Sequence, residues 1–274
     1  MPKLKSQDDI LKMRAAGKLA AQTLRYAGEL VKPGISTEVI NQAVHNFIVE
    51  HGAYPSPLNY KGYPKSVCTS INDVICHGIP SEKEILQEGD IVNIDVTVTL
   101  EGYFGDCSRT FFVGEHIPDE RIKVTEVAEE SLVRGILAAK HGNRLGDVGS
   151  AIQTYAEKEG CSVVRDFVGH GIGKVFHEPD LQVPHYGKSG TGLKIVRGMI
   201  FTIEPMINAG DWRMKMLKDG WTAKTIDGKA SAQFEHTIAI VGDGIEILTA
   251  LEDDPIAIKV KKLGGTVLWP ELKA

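Results

Sequence analysis

Only four of the 274 residues are cysteine, and no two of them form a Cys-x-x-Cys pair. Cys68, Cys76, Cys107 and Cys161 are therefore expected to be reduced thiols, which excludes a disulfide framework. Positive charge is also in short supply. With 31 Lys and Arg against 36 Asp and Glu, the net charge is −5 and the pI near 6.0. That balance argues against general nucleic-acid binding, which needs a basic face, and no direct nucleic-acid motif is present. No run approaches the roughly 18 uninterrupted apolar residues of a membrane span. The opening "MPKLKSQDDILKMRAAGKLA" carries charge from its third residue and lacks the apolar core of a signal peptide. A phosphate loop is missing too: "GKSG" at 187–190 would need glycine at 182, where the chain has Gln182, so a surface loop is expected. What remains is a cytoplasmic protein with no membrane contact, expected to be a monomer.

The rest of the composition, 42% hydrophobic and 24% charged, is that of an ordinary globular chain. Ser6 followed by Asp9 forms a capping-box pattern. Ile10, Met13, Gly17, Ala20, Leu24 and Ala27 then recur at helical spacing until Pro33-Gly34. A second helix carries Ile40, Val44, Phe47 and Ile48 on one face and stops at Gly52. Two more helical patterns, "DERIKVTEVAEESLVRGILAAKHG" and "LGDVGSAIQTYAEKEG", end at Gly142 and Gly160. Gly34, Ile40, Val44, Phe47 and Gly52 recur 108 residues later as Gly142, Val148, Ile152, Tyr155 and Gly160. The expected organisation is one domain over residues 1–274, internally duplicated as about 1–115 and 116–250, with a tail at 251–274. Each half is an α-α-β unit, and a pseudo-twofold axis relates the two.

The duplication extends to an acid. "GDIVNID" at 89–95 and "GMIFTIE" at 198–204 share the frame Gly-x-Ile-x-x-Ile-acid, with Asp95 and Glu204 109 residues apart. Side chains alternate along a strand, so Asn93, Asp95 and Thr97 share one face and Val92, Ile94 and Val96 the other. By the same alternation Thr202, Glu204 and Met206 share a face. A carboxylate inside a sheet must be paired, protonated or bound to a metal. Asp106 follows Asp95 at a spacing that suits a hairpin, Glu235 sits in a strand before the turn signal "GDG", and His170 lies among glycines in "FVGHGIG". Four carboxylates and one imidazole drawn from both halves suit divalent Mn, Fe, Co or Zn, singly or as a bridged pair.

The segments "YKGYPKSVCTSINDVICHGIP", "GDIVNIDVTV", "GYFGDCSRTF", "GHGIGKVFHEP", "FTIEPM", "DGWTAKT" and "SAQFEHT" together resemble the type I methionine aminopeptidases, over nearly the whole chain. The resemblance implies the α/β (α+β) pita-bread fold, with a central antiparallel-rich sheet and helices on its outer face. It implies Asp95, Asp106, His170, Glu204 and Glu235 as ligands of two divalent ions, with Asp106 and Glu235 bridging. Water activated by the ions would attack the first peptide bond, with Glu204 carrying the proton. His77 and His177 would bind substrate and stabilise the tetrahedral intermediate. Tyr60, Tyr63, Cys68, Phe176 and Trp221 would complete a methionine pocket. Some bacterial relatives have cysteine where this chain has Pro57, so the pocket mouth is expected to differ. A structural Na or K site is implied at Asn72, Val74 and Ser231. The implied substrates are nascent polypeptide N-termini with a small second residue, met in transient contact with the ribosome. The chain's own Met1-Pro2 start makes it an expected substrate of its kind.

Three rivals share the fold. Proline-directed relatives usually carry an extra N-terminal domain, whereas the duplicated unit here begins within the first forty residues. Type II enzymes carry a helical insertion in the second half, for which the 31 residues from Glu204 to Glu235 leave no room. Non-catalytic relatives lose metal ligands, and this chain has all five.

Overall fold

The computed structural model describes residues 2–273, so Met1 lies outside the described residues. Helix α1 (Gln7–Glu29) opens with the Ser6–Asp9 capping box, in which each side chain bonds the other residue's backbone N–H. Helix α2 (Thr37–Glu50) is capped by Ser36. Helices α3 (Asp119–Ala138) and α4 (Leu145–Lys158) repeat the arrangement in the second half. Both α2 and α4 have 14 residues, and they start 108 residues apart. An isolated bridge precedes each, Ser36 to Ile85 and Arg144 to Lys194. The spacing of the apolar positions accounts for the burial, with Ile40, Val44 and Ile48 in α2 and Val148 and Ile152 in α4 fully buried.

These helices flank a curled, ten-stranded, almost wholly antiparallel sheet, the pita-bread architecture. The hairpin Ile91–Leu100 with Tyr103–Phe112 belongs to the first half. It meets the strand Glu235–Val241, which in turn pairs with Ile200–Ile203. Gly169–Gly171 and Glu178–Val183 follow on that side. Two three-stranded sheets complete the molecule: Ser162–Val163 with Met206–Asn208 and Ser231–Gln233, and Val74–Cys76 with Ala223–Thr225 and Met214–Met216. The core divides as the sequence does. Leu24, Ile40, Val44, Val92, Ile94 and Val96 form one cluster, and Leu132, Ile136, Val148, Ile152, Phe201 and Ile203 another. Close approach of helix to sheet depends on glycine at Gly105, where a Cβ would lie 2.5 Å from the backbone of Ala16 in α1.

Three segments differ from the sequence pattern. Helix α3 ends at Ala138, not at Gly142, because Asn143 Nδ2 donates to the Ala138 carbonyl and Ala139 leaves the helical region. The second acid-bearing strand stops at Ile203, and Met206 begins a strand in another sheet. Pro205 offers no N–H for a ladder, so the chain changes sheets across Glu204-Pro205. The segment beyond 250 is integral to the fold. Helix α5 (Pro255–Lys262) buries Ile256, Ala257 and Val260 in the larger cluster, and Val267–Trp269 pairs in parallel with Gly244–Ile247. All four cysteines are free and buried. Among the described residues no helix is long and apolar enough to cross a membrane.

Candidate metal centre

The acids meet because strand register brings them to one face where the halves join. Asp95 and Glu235 both lie opposite Ser108, from strands on either side of it. Asp106 lies opposite Thr97, two residues along from Asp95 and on the same face. Glu204 arrives from the neighbouring strand at its point of exit, and His170 from the short strand beyond. Candidate ligand atoms of Asp106, His170 and Glu235 lie within 4.8 Å of one another, all in buried residues. His170 Nε2 stands 3.5 Å from Asp106 Oδ2 and 3.7 Å from Glu204 Oε1. Asp95 lines the same cavity.

Hydrogen bonds fix this arrangement. His170 Nδ1–H donates to the Gly171 carbonyl at 3.1 Å, the tautomer that leaves Nε2 free for a cation. Thr97 Oγ1 donates to Asp106 Oδ1 at 2.7 Å. Thr202 Oγ1 donates to Glu204 Oε1 at 2.7 Å and accepts the His170 backbone N–H at 2.9 Å, joining two candidate ligands through one hydroxyl. Gln233 Nε2 donates to the other Glu204 oxygen at 3.4 Å. The Glu204 N–H, left without a strand partner, donates to His185 Nε2 at 3.1 Å. Of these supports only Thr97 and Thr202 left a trace in the sequence, as residues two positions from an acid on the same strand face.

Electrostatics make the uncompensated carboxylates costly to ionise. Burial, then the charges of Asp106 and Glu204, hold the Asp95 carboxyl well above the usual range. Burial followed by Asp106 and Glu204 does the same to Glu235. Glu204 is pushed up to about 7, chiefly by burial, which outweighs the opposing pull of His170. Burial disfavours the charged form of His170, but its bond to Asp106 and the nearby carboxylates raise it to about 9. Burial and mutual repulsion thus favour the neutral acids wherever no cation is present. An oxygen-rich set with one free imidazole nitrogen fits a divalent metal ion, so a metal site is the reading of this cluster.

A cavity of about 200 Å³ opens above the acids. Tyr60, Tyr63, Cys68, His77, Phe176, His177 and Trp221 all line it, as do Pro57, Thr97 and Lys61. Tyr63 and Trp221 meet edge to face at 5.2 Å, and Tyr60 and Phe176 lie 4.8 Å apart. The His177 ring sits 4.0 Å from that of His170 and bonds Tyr60 Oη through Nδ1 at 2.9 Å. Burial holds both His77 and His177 down to about 4, with His170 adding to the effect on His177, so both are neutral near pH 7. His77 also adopts a left-handed backbone, φ 57°, a strain of the kind that collects at working sites. A larger cavity of about 310 Å³ lies elsewhere, against α1 and the start of α5, and holds none of the five candidate ligands.

Asn72 and Ser231 are brought together away from the acids, the Ser231 N–H donating to the Asn72 carbonyl at 2.8 Å. Ser231 Oγ and Oδ1 of Asn208, its strand partner, are buried without a hydrogen-bond partner. Val74 lies in the adjoining strand Val74–Cys76.

Residues 11–241 match the model of metallopeptidase family M24. The chain is 57% identical to methionine aminopeptidase A of Synechocystis sp. over 246 residues, 90% of this chain and 96% of that one. The crystal structure of methionine aminopeptidase from Rickettsia prowazekii superposes with a TM-score of 0.89 at 52% identity, covering 91% of this chain and all of that one. The prolidase of Pyrococcus furiosus gives a TM-score of 0.72 at 23% identity, over 91% of this chain and 66% of that one, a likeness of fold alone.

Proposed function

The chain belongs to metallopeptidase family M24 and, within it, to the methionine aminopeptidases, and from that premise we propose that it releases the initiator methionine from nascent proteins whose second residue is small. One observation carries the reading: an acid cluster suited to metal lies at the floor of a pocket walled by aromatic rings. Asp95, Asp106, His170, Glu204 and Glu235 would hold two divalent ions drawn from Co, Mn, Fe and Zn. Such ions, when bound, supply Lewis acidity and bring the pKa of a coordinated water down to about 7.

The chain's own groups do the rest. Tyr60, Tyr63, Cys68, Phe176 and Trp221 surround the methionine side chain, whose polarisable thioether favours ring edges. His77 and His177, neutral at working pH, donate hydrogen bonds to the scissile carbonyl and to the oxyanion it becomes. With Tyr60 donating to Nδ1 of His177, the hydrogen of that ring lies on Nε2. Glu204, which lines the pocket beside the scissile bond, takes a proton from the attacking water and returns it to the leaving amine. The four acids and one imidazole form the floor that meets the substrate's free amine, which restricts cleavage to a chain end. Asn72, Val74 and Ser231 would hold Na or K, a reading supported by the unpartnered Ser231 Oγ. The expected setting is cytoplasmic, as a monomer meeting chains at the ribosome.

A peptide panel tests the reading. Met-Ala-Ser is expected to lose methionine, while N-acetyl-Met-Ala-Ser, Leu-Ala-Ser and Met-Leu-Ser resist. Release from the acetylated peptide would overturn the amine requirement, and equal release from Leu-Ala-Ser the assignment of the pocket.

A further inference from the structure

The segment ahead of α1 is tied down by a buried ion pair that the reaction does not obviously need. The Lys5 N–H donates to the Gly198 carbonyl at 2.7 Å. Its side chain is only 4% exposed, and its ammonium reaches both oxygens of Glu178 at 2.6 and 2.8 Å, besides the Lys3 carbonyl at 3.1 Å. The Glu178 side chain is 12% exposed. A buried pair of this kind is a poor source of stability, because desolvation offsets much of the attraction. Its place in the fold gives a better reason for it.

Glu178 directly follows His177 and is the first residue of the strand Glu178–Val183. The turn that leads to it, 172–177, carries both Phe176 and His177 into the substrate pocket. Glycines clear space for the pair. A Cβ at Gly173 would lie 2.6 Å from Lys5 Cε and 3.0 Å from Glu178 Oε1, and one at Gly171 would lie 3.1 Å from Glu178 Oε2. Gly173 is itself held by its carbonyl, which accepts the Phe104 N–H at 3.0 Å. The pocket-bearing turn is thus folded around an ammonium supplied by the segment ahead of α1.

We infer that Lys5 is a positioning residue for the aminopeptidase reaction: through Glu178 it clamps the 172–177 turn and fixes the His177 imidazole beside His170 and Tyr60. The inference rests on the proposed role of His177. A catalytic group displaced by an ångström costs about 10²-fold in rate, so a clamp one residue from His177 has direct leverage on kcat.

The test compares Lys5→Met, Glu178→Gln and the double variant. Lys5→Met keeps the aliphatic stem but leaves the Glu178 charge buried and unpaired; the double variant removes that charge as well. The measurements are kcat and KM for Met-Ala-Ser well below the unfolding midpoint, the midpoint itself, and amide exchange across 171–178 and α3. Lys5→Met is expected to lower kcat by about 10²-fold, with faster exchange in 171–178 and none in α3. In the double variant the midpoint recovers while kcat stays low and the turn stays mobile. Recovery of kcat together with the midpoint would overturn the inference, and so would a fall in kcat without faster exchange in the turn. Should Lys5→Met not fold, the double variant compared directly with wild type carries the test, since it breaks the clamp and leaves neither charge buried and unpaired. Failure of the wild-type protein to release methionine would instead strike the function proposed for the site, and the exchange measurement would still decide whether the clamp exists.

Discussion

Glu204→Gln is expected to lower kcat for Met-Ala-Ser by about 10²- to 10⁴-fold, the usual contribution of a positioned proton-transfer group. Glutamine keeps the volume and can still accept from Thr202 Oγ1, the bond that now holds Oε1 at 2.7 Å. It cannot carry a proton. The substitution also removes one of the proposed anionic ligands, so metal affinity should weaken, and activity is to be measured at saturating metal to separate the two effects. A drop in kcat that persists at saturation identifies proton transfer. A variant restored to wild-type kcat by excess metal would show that Glu204 serves as a ligand alone.

The metal-free protein is expected to lose stability as pH rises from about 6.5 to 9, and added divalent metal to reverse the trend. The sign follows from which state holds the proton. Asp95 and Glu235 are held well above the usual carboxylate range, Glu204 at about 7 and His170 at about 9. Each binds its proton more tightly folded than unfolded, so its contribution is complete below the unfolded pKa and is lost as pH passes the folded one. Burial depresses His77 and His177 to about 4 and His185 to about 3. Their contributions are lost only as pH falls below 6.5, so they stay complete and constant across the window. Metal ions replace the protons, and competition between the two eases as pH rises. The stabilisation by metal, read as the difference in unfolding midpoint between loaded and stripped protein, should therefore widen from pH 6.5 to 9. A difference that stays constant or narrows would mean that these groups do not bind the ion.

The strand acids were legible because two signals coincided. Alternation put Asp95 on the face opposite Val92, Ile94 and Val96, and the repeated frame put Glu204 in the matching place of the second half. The helices were legible for a similar reason, since their caps and apolar spacing are local. What stayed hidden is non-local or depends on a break in regularity. Period-two reasoning carried Glu204 and Met206 along one strand, whereas Pro205 ends the ladder and the chain turns into another sheet. That break creates the need for His185, which carries no signal in sequence because it is 19 residues away and bonds only a backbone N–H. Lys5 and Glu178 are 173 residues apart, beyond any pattern. The segment beyond 250 has one short amphipathic helix, too little to show that Ile256, Ala257 and Val260 complete the larger core.

The central claim is that carboxylates are tolerated inside these strands because cations neutralise them and so make a peptidase. Methionine release from Met-Ala-Ser by metal-stripped protein, with Mn, Co, Fe and Zn returned one at a time, tests it most directly. The expected result is no release from the stripped protein and recovery with at least one ion. Undiminished release without metal would contradict the account, as would folded protein that stays silent with every ion.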